Sequence, residues 1–384
     1  MKKLFNKLDK KLLLLMLIFT IFGLVMVFSA SSISAVLYNK VEETYFFKRQ
    51  AFIAIAMWFI GIFFILRIPT SKYKFLAKGY FFLILIILAL IFPYGTITNS
   101  AKSWFRVGPI RVQPSEFFKS AMILYFSVYF EKLIQKKDFD NKKVMWPIIL
   151  SVIGIGLVAI QPDLGTAIII AGIFGLLILY MPIKTKAYNF LKTSGIIVVC
   201  FLVLFVALSG NLLTKEQADR LNFKSPCTRY TEKTGYQVCN GFIAISNGGL
   251  FGKGLGNSTQ KYLYLPEAHT DFIFPIVVEE IGVIGASVVL LMYILLLFRL
   301  LKISKEASTI RGTIIAYGTF CYILLHLAVN FLGILALIPL TGVPVPFLSY
   351  GGSFLMNILF LMFVNERIAI ETNINKENQA FRRI

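Results

Sequence analysis

The sequence has little of what metal and nucleotide sites require. Its 384 residues include 4 cysteines and 2 histidines, and the cysteines form no Cys-x-x-Cys pair, which argues against a structural zinc site. No Gly-x-x-x-x-Gly-Lys-Ser/Thr loop is present, because Lys253 is followed by Gly254 instead of the hydroxyl residue that would bind magnesium. Direct use of ATP therefore has no support in the sequence.

Acidic residues are also scarce. The chain has 19 Asp and Glu against 39 Lys and Arg, a formal net charge of +20. In a soluble protein this excess would indicate nucleic acid as a partner, but here the basic residues lie between long apolar runs. Hydrophobic residues make up 57% of the chain, more than the interior of a soluble protein of this length can hold. The composition therefore predicts a membrane protein with no nucleic-acid partner.

Ten segments are apolar and long enough to cross a bilayer, since a spanning helix needs about 20 residues. They predict an all-α, polytopic membrane protein with a single integral-membrane domain over 1–384. No cleavable signal peptide is evident, so the first segment is interpreted as an uncleaved anchor. The predicted spans are 12–31, 47–66, 77–94, 114–131, 144–160, 163–182, 189–209, 271–299, 312–338 and 351–368.

The basic residues orient these spans. With the N-terminus in the cytoplasm, the inner connections carry 25 Lys and Arg, whereas the outer ones carry 7 when the long segment at about 210–270 is left out. The positive-inside rule therefore predicts that both termini are cytoplasmic. The long segment, between helices 7 and 8, then faces outward, and any chemistry is expected at the outer membrane surface.

Acidic side chains near the outer ends of the spans are the first functional candidates, because ionisable groups are costly in a membrane. Asp271 lies where the long loop enters the eighth span, next to His269. An ionised carboxylate at this boundary would act as a general base or hold a divalent cation. The alternative is that Asp271 or Thr270 is simply the N-cap of the helix.

Glu116 and Lys119 lie three residues apart near the outer end of the fourth span, on one helix face. Either they form a self-neutralising ion pair, or they line a polar cavity in which Lys119 binds a phosphate. Glu279 and Glu280 lie deeper in the eighth span, and for Glu280 we expect a buried pairing with an arginine or a backbone group of another span.

Several further residues of the predicted outer side are candidates. Basic side chains there would bind a lipid phosphate, and Trp104 alone is typical of an interfacial anchor. Cys227 and Cys239 lie twelve residues apart in the long loop, where an extracytoplasmic location permits the disulfide that we hypothesise. The basic candidates are Arg106, Arg111 and Lys261.

Five motifs, in order along the chain, resemble the SEDS family (shape, elongation, division and sporulation), which includes FtsW, RodA and SpoVE. The segment from Gln260 to Asp271 is more similar to FtsW than to RodA. The motifs are Gly23-Leu24-Val25-Met26-Val27 with Ser29-Ala30-Ser31-Ser32, Gln113-Pro114-Ser115-Glu116, Gln161-Pro162-Asp163-Leu164-Gly165-Thr166, Gly248-Gly249-Leu250-Phe251-Gly252 leading to Asp271-Phe272, and Ser349-Tyr350-Gly351-Gly352-Ser353.

The resemblance implies a peptidoglycan glycosyltransferase of the bacterial cytoplasmic membrane that polymerises lipid II on the outer face. Its implied partners are a class B penicillin-binding protein and other membrane proteins of the divisome or elongasome. Two other functions stay open, a lipid II flippase and a non-catalytic scaffold for the penicillin-binding protein. The sequence favours the polymerase, because the unusual polar residues cluster on the predicted outer side.

The resemblance also implies roles for particular residues. The essential aspartate of the family corresponds to Asp271, its Glu and Lys of span four to Glu116 and Lys119, and its loop tryptophan to Trp104. Positive charge for the leaving pyrophosphate would come from a divalent cation, Mg²⁺ or Mn²⁺, held by Asp271, or from basic side chains. The implied substrate-binding residues are Trp104, Arg106, Arg111, Glu116, Lys119, Lys261 and His269.

Overall fold

The computed structural model describes residues 6–381 except 99–100, 109, 162, 184, 186–187, 190–191, 194–224 and 263. Within these residues the chain forms ten α-helices, three short 3-10 helices (Ile65–Arg67, Thr70–Lys72 and Pro226–Arg229) and one small sheet. The α-helices are α1 (Lys10–Leu37), α2 (Tyr45–Phe63), α3 (Tyr73–Tyr94), α4 (Pro114–Lys136), α5 (Asn141–Ile160), α6 (Leu164–Tyr180), α7 (Lys233–Gly248), α8 (Ile273–Glu306), α9 (Ile310–Ile334) and α10 (Gly352–Phe381).

Nine of the ten predicted spans correspond to helices of the structure, α1–α6 and α8–α10. The remaining prediction, 189–209, lies almost wholly outside the described residues. Seven of the described helices are long and apolar enough to cross a membrane. The seven do not include α4, which carries several charged residues, or α6, which has 17 residues. The prediction of a helical, polytopic membrane protein is confirmed.

Side-chain caps explain where several helices begin. Asp9 accepts a hydrogen bond from the Leu12 N–H at the start of α1, and Asp163 accepts one from the Thr166 N–H at the start of α6. α4 instead begins with Pro114, whose fixed φ and missing N–H suit the first turn of a helix. These local signals place the helix ends that carry the candidate residues.

Two elements outside the apolar helices were not predicted. Between α3 and α4 the chain forms an antiparallel sheet of three strands, so the purely all-α prediction is wrong in this detail. Within the long segment at about 210–270, for which no helix was predicted, lies the helix α7. The strands are β1 (Thr96–Thr98), β2 (Ala101–Val107) and β3 (Ile110–Val112), in the order β1-β2-β3.

The bundle is built around α10, which packs against α1, α2, α4, α8 and α9. Helices on the outside expose large apolar side chains, such as Phe52 and Ile55, which are 72% and 70% exposed. Exposure of such an apolar surface to water is unfavourable, whereas contact with lipid acyl chains is not. The arrangement therefore places α10 in the protein interior and the apolar surface of α2 against lipid.

Buried ion pairs join the helix ends opposite the sheet. Asp9 pairs with Arg299, and Glu131 pairs with Arg311 at 2.6 Å between Oε2 and Nη1. Arg311 Nη2 also lies 3.3 Å from Thr70 Oγ1. These contacts tie the beginning of α1 to α8, and the end of α4 to the beginning of α9.

Candidate active site

Asp271 lies just before α8 but does not cap it. The helix begins at Ile273, its N-cap is Phe272, and no side chain caps it. The interpretation of Asp271 or Thr270 as a plain N-cap is therefore wrong. Its carboxylate is available for other contacts.

Side chains from two distant segments hold the main chain at this point. Asn330 Nδ2 of α9 donates to the Asp271 carbonyl at 2.7 Å, and Ser349 Oγ donates to the Thr270 carbonyl at 2.5 Å. Both partners are buried, so these bonds are shielded from water. The position of Asp271 is thereby fixed relative to α9 and to the segment that precedes α10.

The carboxylate of Asp271 shares a hydroxyl with a second acid. Thr270 Oγ1 lies 3.0 Å from Asp271 Oδ1 and 2.8 Å from Glu267 Oε2, and one hydroxyl has a single proton to donate. Asp271 is only 8% exposed, and burial together with the nearby Glu267 raises its pKa to about 7. The sequence predicted an ionised carboxylate at the boundary, whereas the structure has a buried one with a raised pKa.

His269 lies beside this pair and is half-buried. Its ring centroid is 4.8 Å from that of Phe46 and 5.8 Å from that of Tyr350, and its carbonyl accepts the Tyr350 N–H at 2.8 Å. Burial lowers the pKa of His269, so its ring is neutral at neutral pH. A neutral imidazole brings no charge to a phosphate, although it can still donate a hydrogen bond.

Glu116 and Lys119 form a buried pair. Lys119 Nζ lies 2.8 Å from Glu116 Oε1 and 3.0 Å from His326 Nε2, and the Lys119 side chain has 0% exposure. Tyr322 OH donates to the second Glu116 oxygen at 3.2 Å. These contacts match the self-neutralising ion pair better than a lysine exposed to a phosphate.

Lys261 is also buried. Its Nζ donates to Glu280 Oε1 at 3.1 Å, to Ser29 Oγ at 3.0 Å and to the Gly256 carbonyl at 2.6 Å. The expected buried pairing of Glu280 is present, but the partner is this loop lysine instead of an arginine or a backbone group. Lys261 therefore joins the loop between α7 and α8 to both α1 and α8, and its contacts do not expose the ammonium group to a substrate.

Glu279 organises the same loop, a role that the sequence did not indicate. Its buried carboxylate accepts hydrogen bonds from five residues, two of which donate through backbone N–H groups. A fully bonded carboxylate of this kind fixes the backbone that surrounds it. The donors are Asn247, Lys253, Ser258, Thr259 and Gln260.

Arg106 and Arg111 remain exposed. They lie opposite each other on β2 and β3, and Trp104 is half-buried on β2. A further cation that sequence reasoning missed is Arg49 of α2, whose side chain hydrogen-bonds to Tyr350. The end of the bundle that carries the sheet therefore has exposed guanidinium groups on the sheet and another next to Tyr350, the aromatic residue that packs on His269.

The buried partners of the candidates come largely from one face of α9. Tyr322, His326 and Asn330 follow each other at every fourth residue, so their side chains lie in one row. Tyr322 and His326 contact the Glu116–Lys119 pair, and Asn330 holds the main chain at Asp271. The sequence signal that could have identified these three residues is the repetition of polar side chains at helical spacing within an apolar span.

The fit of a divalent cation rests on two carboxylates. No group of three or more His, Cys, Asp or Glu side chains suited to a metal ion occurs in the described part of the chain. Asp271 and Glu267 offer the hard oxygen ligands that Mg²⁺ and Mn²⁺ prefer, but fewer than six. These residues fit a cation that takes its remaining ligands from phosphate and water.

Cys227 and Cys239 form a disulfide, with 4.9 Å between their Cα atoms. It joins the 3-10 turn at Pro226–Arg229 to α7. Tyr230, between the two cysteines, follows the 3-10 turn, and its ring packs on that of Tyr236 at a centroid distance of 4.8 Å. The bridge therefore braces the entry to α7.

Comparison with known proteins identifies the family. A sequence profile of the FtsW, RodA and SpoVE cell cycle proteins matches residues 9–374. The probable peptidoglycan glycosyltransferase FtsW of Bacillus subtilis (strain 168) is 36% identical over 376 residues, covering 96% of this chain and 92% of the relative. Stage V sporulation protein E of the same organism is 33% identical over 360 residues, covering 93% and 95%.

Solved structures share the fold. A chain from a structure described as "Structural coordination of polymerization and crosslinking by a peptidoglycan synthase complex" superposes with a TM-score of 0.73 at 22% identity, covering 95% of this chain and 98% of the other. The rod shape determining protein RodA of Thermus thermophilus gives 0.66 at 22% identity, covering 94% and 96%. From the profile match and the relatives, this chain belongs to the FtsW/RodA/SpoVE family of cell cycle proteins.

Proposed function

We propose that this chain is a peptidoglycan glycosyltransferase that polymerises lipid II at the outer face of the bacterial cytoplasmic membrane, in cell division or cell-wall synthesis. The observation that carries the proposal is the likeness to relatives named peptidoglycan glycosyltransferase FtsW over nearly the whole chain. The multi-pass membrane fold agrees with a lipid-linked substrate.

In the proposed reaction, the acceptor hydroxyl of one lipid II attacks the anomeric carbon of another. The new bond joins that oxygen to the carbon, the bond from the carbon to the pyrophosphate oxygen breaks, and the hydroxyl proton passes to a base. Asp271 is the proposed base, because its pKa of about 7 matches the working pH at which a base is most effective. Its main chain is held by Asn330 and Ser349, which supports a fixed geometry.

The leaving pyrophosphate requires positive charge. Arg106 and Arg111 are the proposed protein contribution, since both are exposed on the sheet and a guanidinium can bind phosphate with two hydrogen bonds. A divalent cation held by Asp271 and Glu267 would add charge at the leaving oxygens. Lys119 and Lys261 are bonded inside the protein, so we assign them to the support of the site.

The proposed topology has ten spans over a single domain, with both termini in the cytoplasm. The sheet and α7 then lie outside, together with Asp271. A class B penicillin-binding protein is the proposed partner, in line with the solved complex in which polymerization and crosslinking are coordinated. Such a partner would use the new glycan strands as they are made.

The flippase alternative is less well supported by the contacts. A flippase needs a polar path to the inner face, and Glu279 and Glu280 were the hint of one. Both carboxylates are bonded to the outer loop, through Lys253 and Lys261. At the opposite end the pairs Asp9–Arg299 and Glu131–Arg311 hold the helix ends together.

The test compares glycan-chain formation from purified lipid II by the wild type, Asp271→Ala and Asp271→Asn, each with a class B penicillin-binding protein and Mg²⁺. We expect polymer from the wild type and a loss of at least about 100-fold in the variants, the usual range for a general base. Glu306→Gln is the matched control, because this acid lies at the other end of α8 and is exposed. Normal polymer from both Asp271 variants would remove this residue from the chemistry, and no polymer from the wild type would favour the flippase or scaffold.

A further inference from the structure

The helix α8 is interrupted inside its apolar length. Gly282 has φ 73° and ψ 175°, a conformation that side chains other than hydrogen rarely allow. A Cβ atom there would lie 2.3 Å from the Leu250 carbonyl oxygen, so no larger residue fits. The interruption and the contact with the loop after α7 are therefore parts of one feature.

The loop after α7 takes up the backbone groups that the interruption leaves without helical partners. Two N–H groups of the loop donate to carbonyls of α8, and two N–H groups of α8 donate to carbonyls of the loop. A non-helical backbone survives inside a membrane only when its polar groups are bonded in this way. The bonds run from Lys253 to Glu279 (2.9 Å), Gly254 to Glu280 (2.9 Å), Val283 to Gly249 (2.9 Å) and Ile284 to Leu250 (3.2 Å).

Two contacts between α1 and α8 give the depth of this loop. At one end Asp9 pairs with Arg299, and at the other Ser29 Oγ donates to Glu280 Oε1. The 20 residues of α1 between these contacts correspond to about 30 Å, and the regular part of α8, the 17 residues from Gly282 to Arg299, to about 26 Å. Since the hydrocarbon core is about 30 Å thick, the Ser29–Glu280 contact lies at its outer edge when Asp9–Arg299 lies at the inner one. Helix tilt would place Glu280 deeper still.

The bonded part of the loop lies on the inner, hydrocarbon side of this edge. Gly249 and Leu250 are bonded to Val283 and Ile284, which follow Glu280 along α8 toward Arg299 and therefore lie further into the membrane. The side chains here are apolar and unusually exposed: Phe251 is 81% exposed, Leu250 62% and Leu255 58%. Exposed apolar side chains on a backbone bonded to a spanning helix match lipid better than water.

We propose that the segment 249–255 is a re-entrant turn inserted into the outer leaflet, and that the acyl chains of the bilayer are the partner of Leu250, Phe251 and Leu255. The sequence placed this segment in the outward-facing loop at about 210–270. The insertion anchors the Glu279-bonded loop, and through it the segment leading to Asp271, at a fixed depth. This inference does not depend on the glycosyltransferase proposal.

The test measures the depth of a nitroxide label at position 251. Phe251→Cys is made in a Cys200→Ser/Cys321→Ser background that keeps the Cys227–Cys239 disulfide, and the full-length protein is purified and placed in phosphatidylcholine–phosphatidylglycerol vesicles. Electron paramagnetic resonance then compares collisions with oxygen, which concentrates in lipid, and with a water-soluble nickel chelate. Two controls bracket the result: Tyr264→Cys for the water side and Ile294→Cys for the lipid-facing middle of α8.

We expect the label at position 251 to have an oxygen-to-nickel collision ratio several-fold above that at position 264 and close to that at position 294. A ratio equal to that at position 264 would overturn the proposal. The same result is expected if a protein partner, absent from these vesicles, normally covers the turn instead of lipid. If the Phe251 variant fails to fold, Leu255→Cys decides by the same criterion. Because no glycan is measured, failure here is distinguishable from failure of the proposed activity.

Discussion

At the residue scale, the environment of Asp271 makes a pH dependence its clearest signature. Burial disfavours the carboxylate, and Glu267, which contacts the same Thr270 hydroxyl, disfavours it further. A base must be deprotonated to accept a proton, so activity is lost as pH falls through the pKa. The two acids together therefore place the midpoint of activity near neutrality.

We expect the initial rate of glycan formation to rise between about pH 6 and pH 8, with a midpoint near the Asp271 pKa of about 7. Glu267→Gln removes the neighbouring negative charge and should move the midpoint to lower pH. The measurement is a pH–rate profile at saturating lipid II, repeated with and without Mg²⁺, since a bound cation also lowers the midpoint. A flat profile would contradict the base assignment, and a midpoint that Glu267→Gln leaves in place would show that Glu267 does not raise the Asp271 pKa.

The buried pair Glu116–Lys119 predicts a different effect, on stability. Glu116→Gln leaves an ammonium buried without its counter-ion, and breaking a buried pair in this way costs about 3–5 kcal/mol. The double variant Glu116→Gln/Lys119→Met removes both charges and should recover most of the loss. Thermal unfolding in detergent measures both; equal stability of the single and double variants would show that the charge pairing is unimportant.

Sequence reasoning could identify these residues but not their partners. Lys119 bonds to His326, which is 207 positions away, and Asp271 is held by Asn330 from another helix. Spacing along one helix reports which side chains share a face, and it carries no information on what the face contacts. The expectation that Lys119 and Lys261 bind phosphate depended on exposure, which only the packing of the bundle determines.

At the element scale, the apolar spans were predictable because about 20 apolar residues in a row have one stable arrangement in a membrane. The sheet and α7 were harder to predict for a physical reason. β1 and β3 have three residues each, too few to show an alternating pattern, and α7 lies in a polar segment without a membrane signal. The interruption at Gly282 could not be predicted either, since glycine is common inside continuous membrane-spanning helices.

Close packing of α1 gives a prediction for this scale. A Cβ atom on Gly23 would lie 2.1 Å from the Phe347 carbonyl oxygen, in the segment whose Ser349 holds the main chain at Thr270. Gly23→Ala must push this backbone away, which we expect to destabilise the fold by about 1–3 kcal/mol and to lower polymerisation.

The matched control is Gly156→Ala in α5, where an added Cβ atom meets nothing within 4 Å. This change should leave stability unchanged or raise it by about 0.5–1 kcal/mol, because alanine favours helix over glycine. Thermal unfolding and glycan formation are measured for both variants. Equal behaviour of the two would show that the contact between α1 and the Phe347 backbone has no role in supporting the site.

At the scale of the whole molecule, the two ends of the bundle differ in kind. One end carries the buried pairs Asp9–Arg299 and Glu131–Arg311, which join four helices. The other carries the sheet, α7 and Asp271. Successive helices run in opposite directions, so these two groups of residues lie at opposite ends of the bundle. The orientation of the chain in the membrane therefore determines which compartment Asp271 faces.

The excess of Lys and Arg at the ion-paired end predicts that this end is cytoplasmic, because basic residues are retained on the inner side. Green fluorescent protein, which folds in the cytoplasm, should therefore fluoresce when fused after Asp138 or after Ile384, whereas alkaline phosphatase should be active only when fused after Gly95. Asp138 and Gly95 flank the same helix, α4, so each fusion is a control for the other. The reverse pattern would place Asp271 in the cytoplasm and would rule out an enzyme that extends glycan strands outside the cell, whatever the relatives of this chain do.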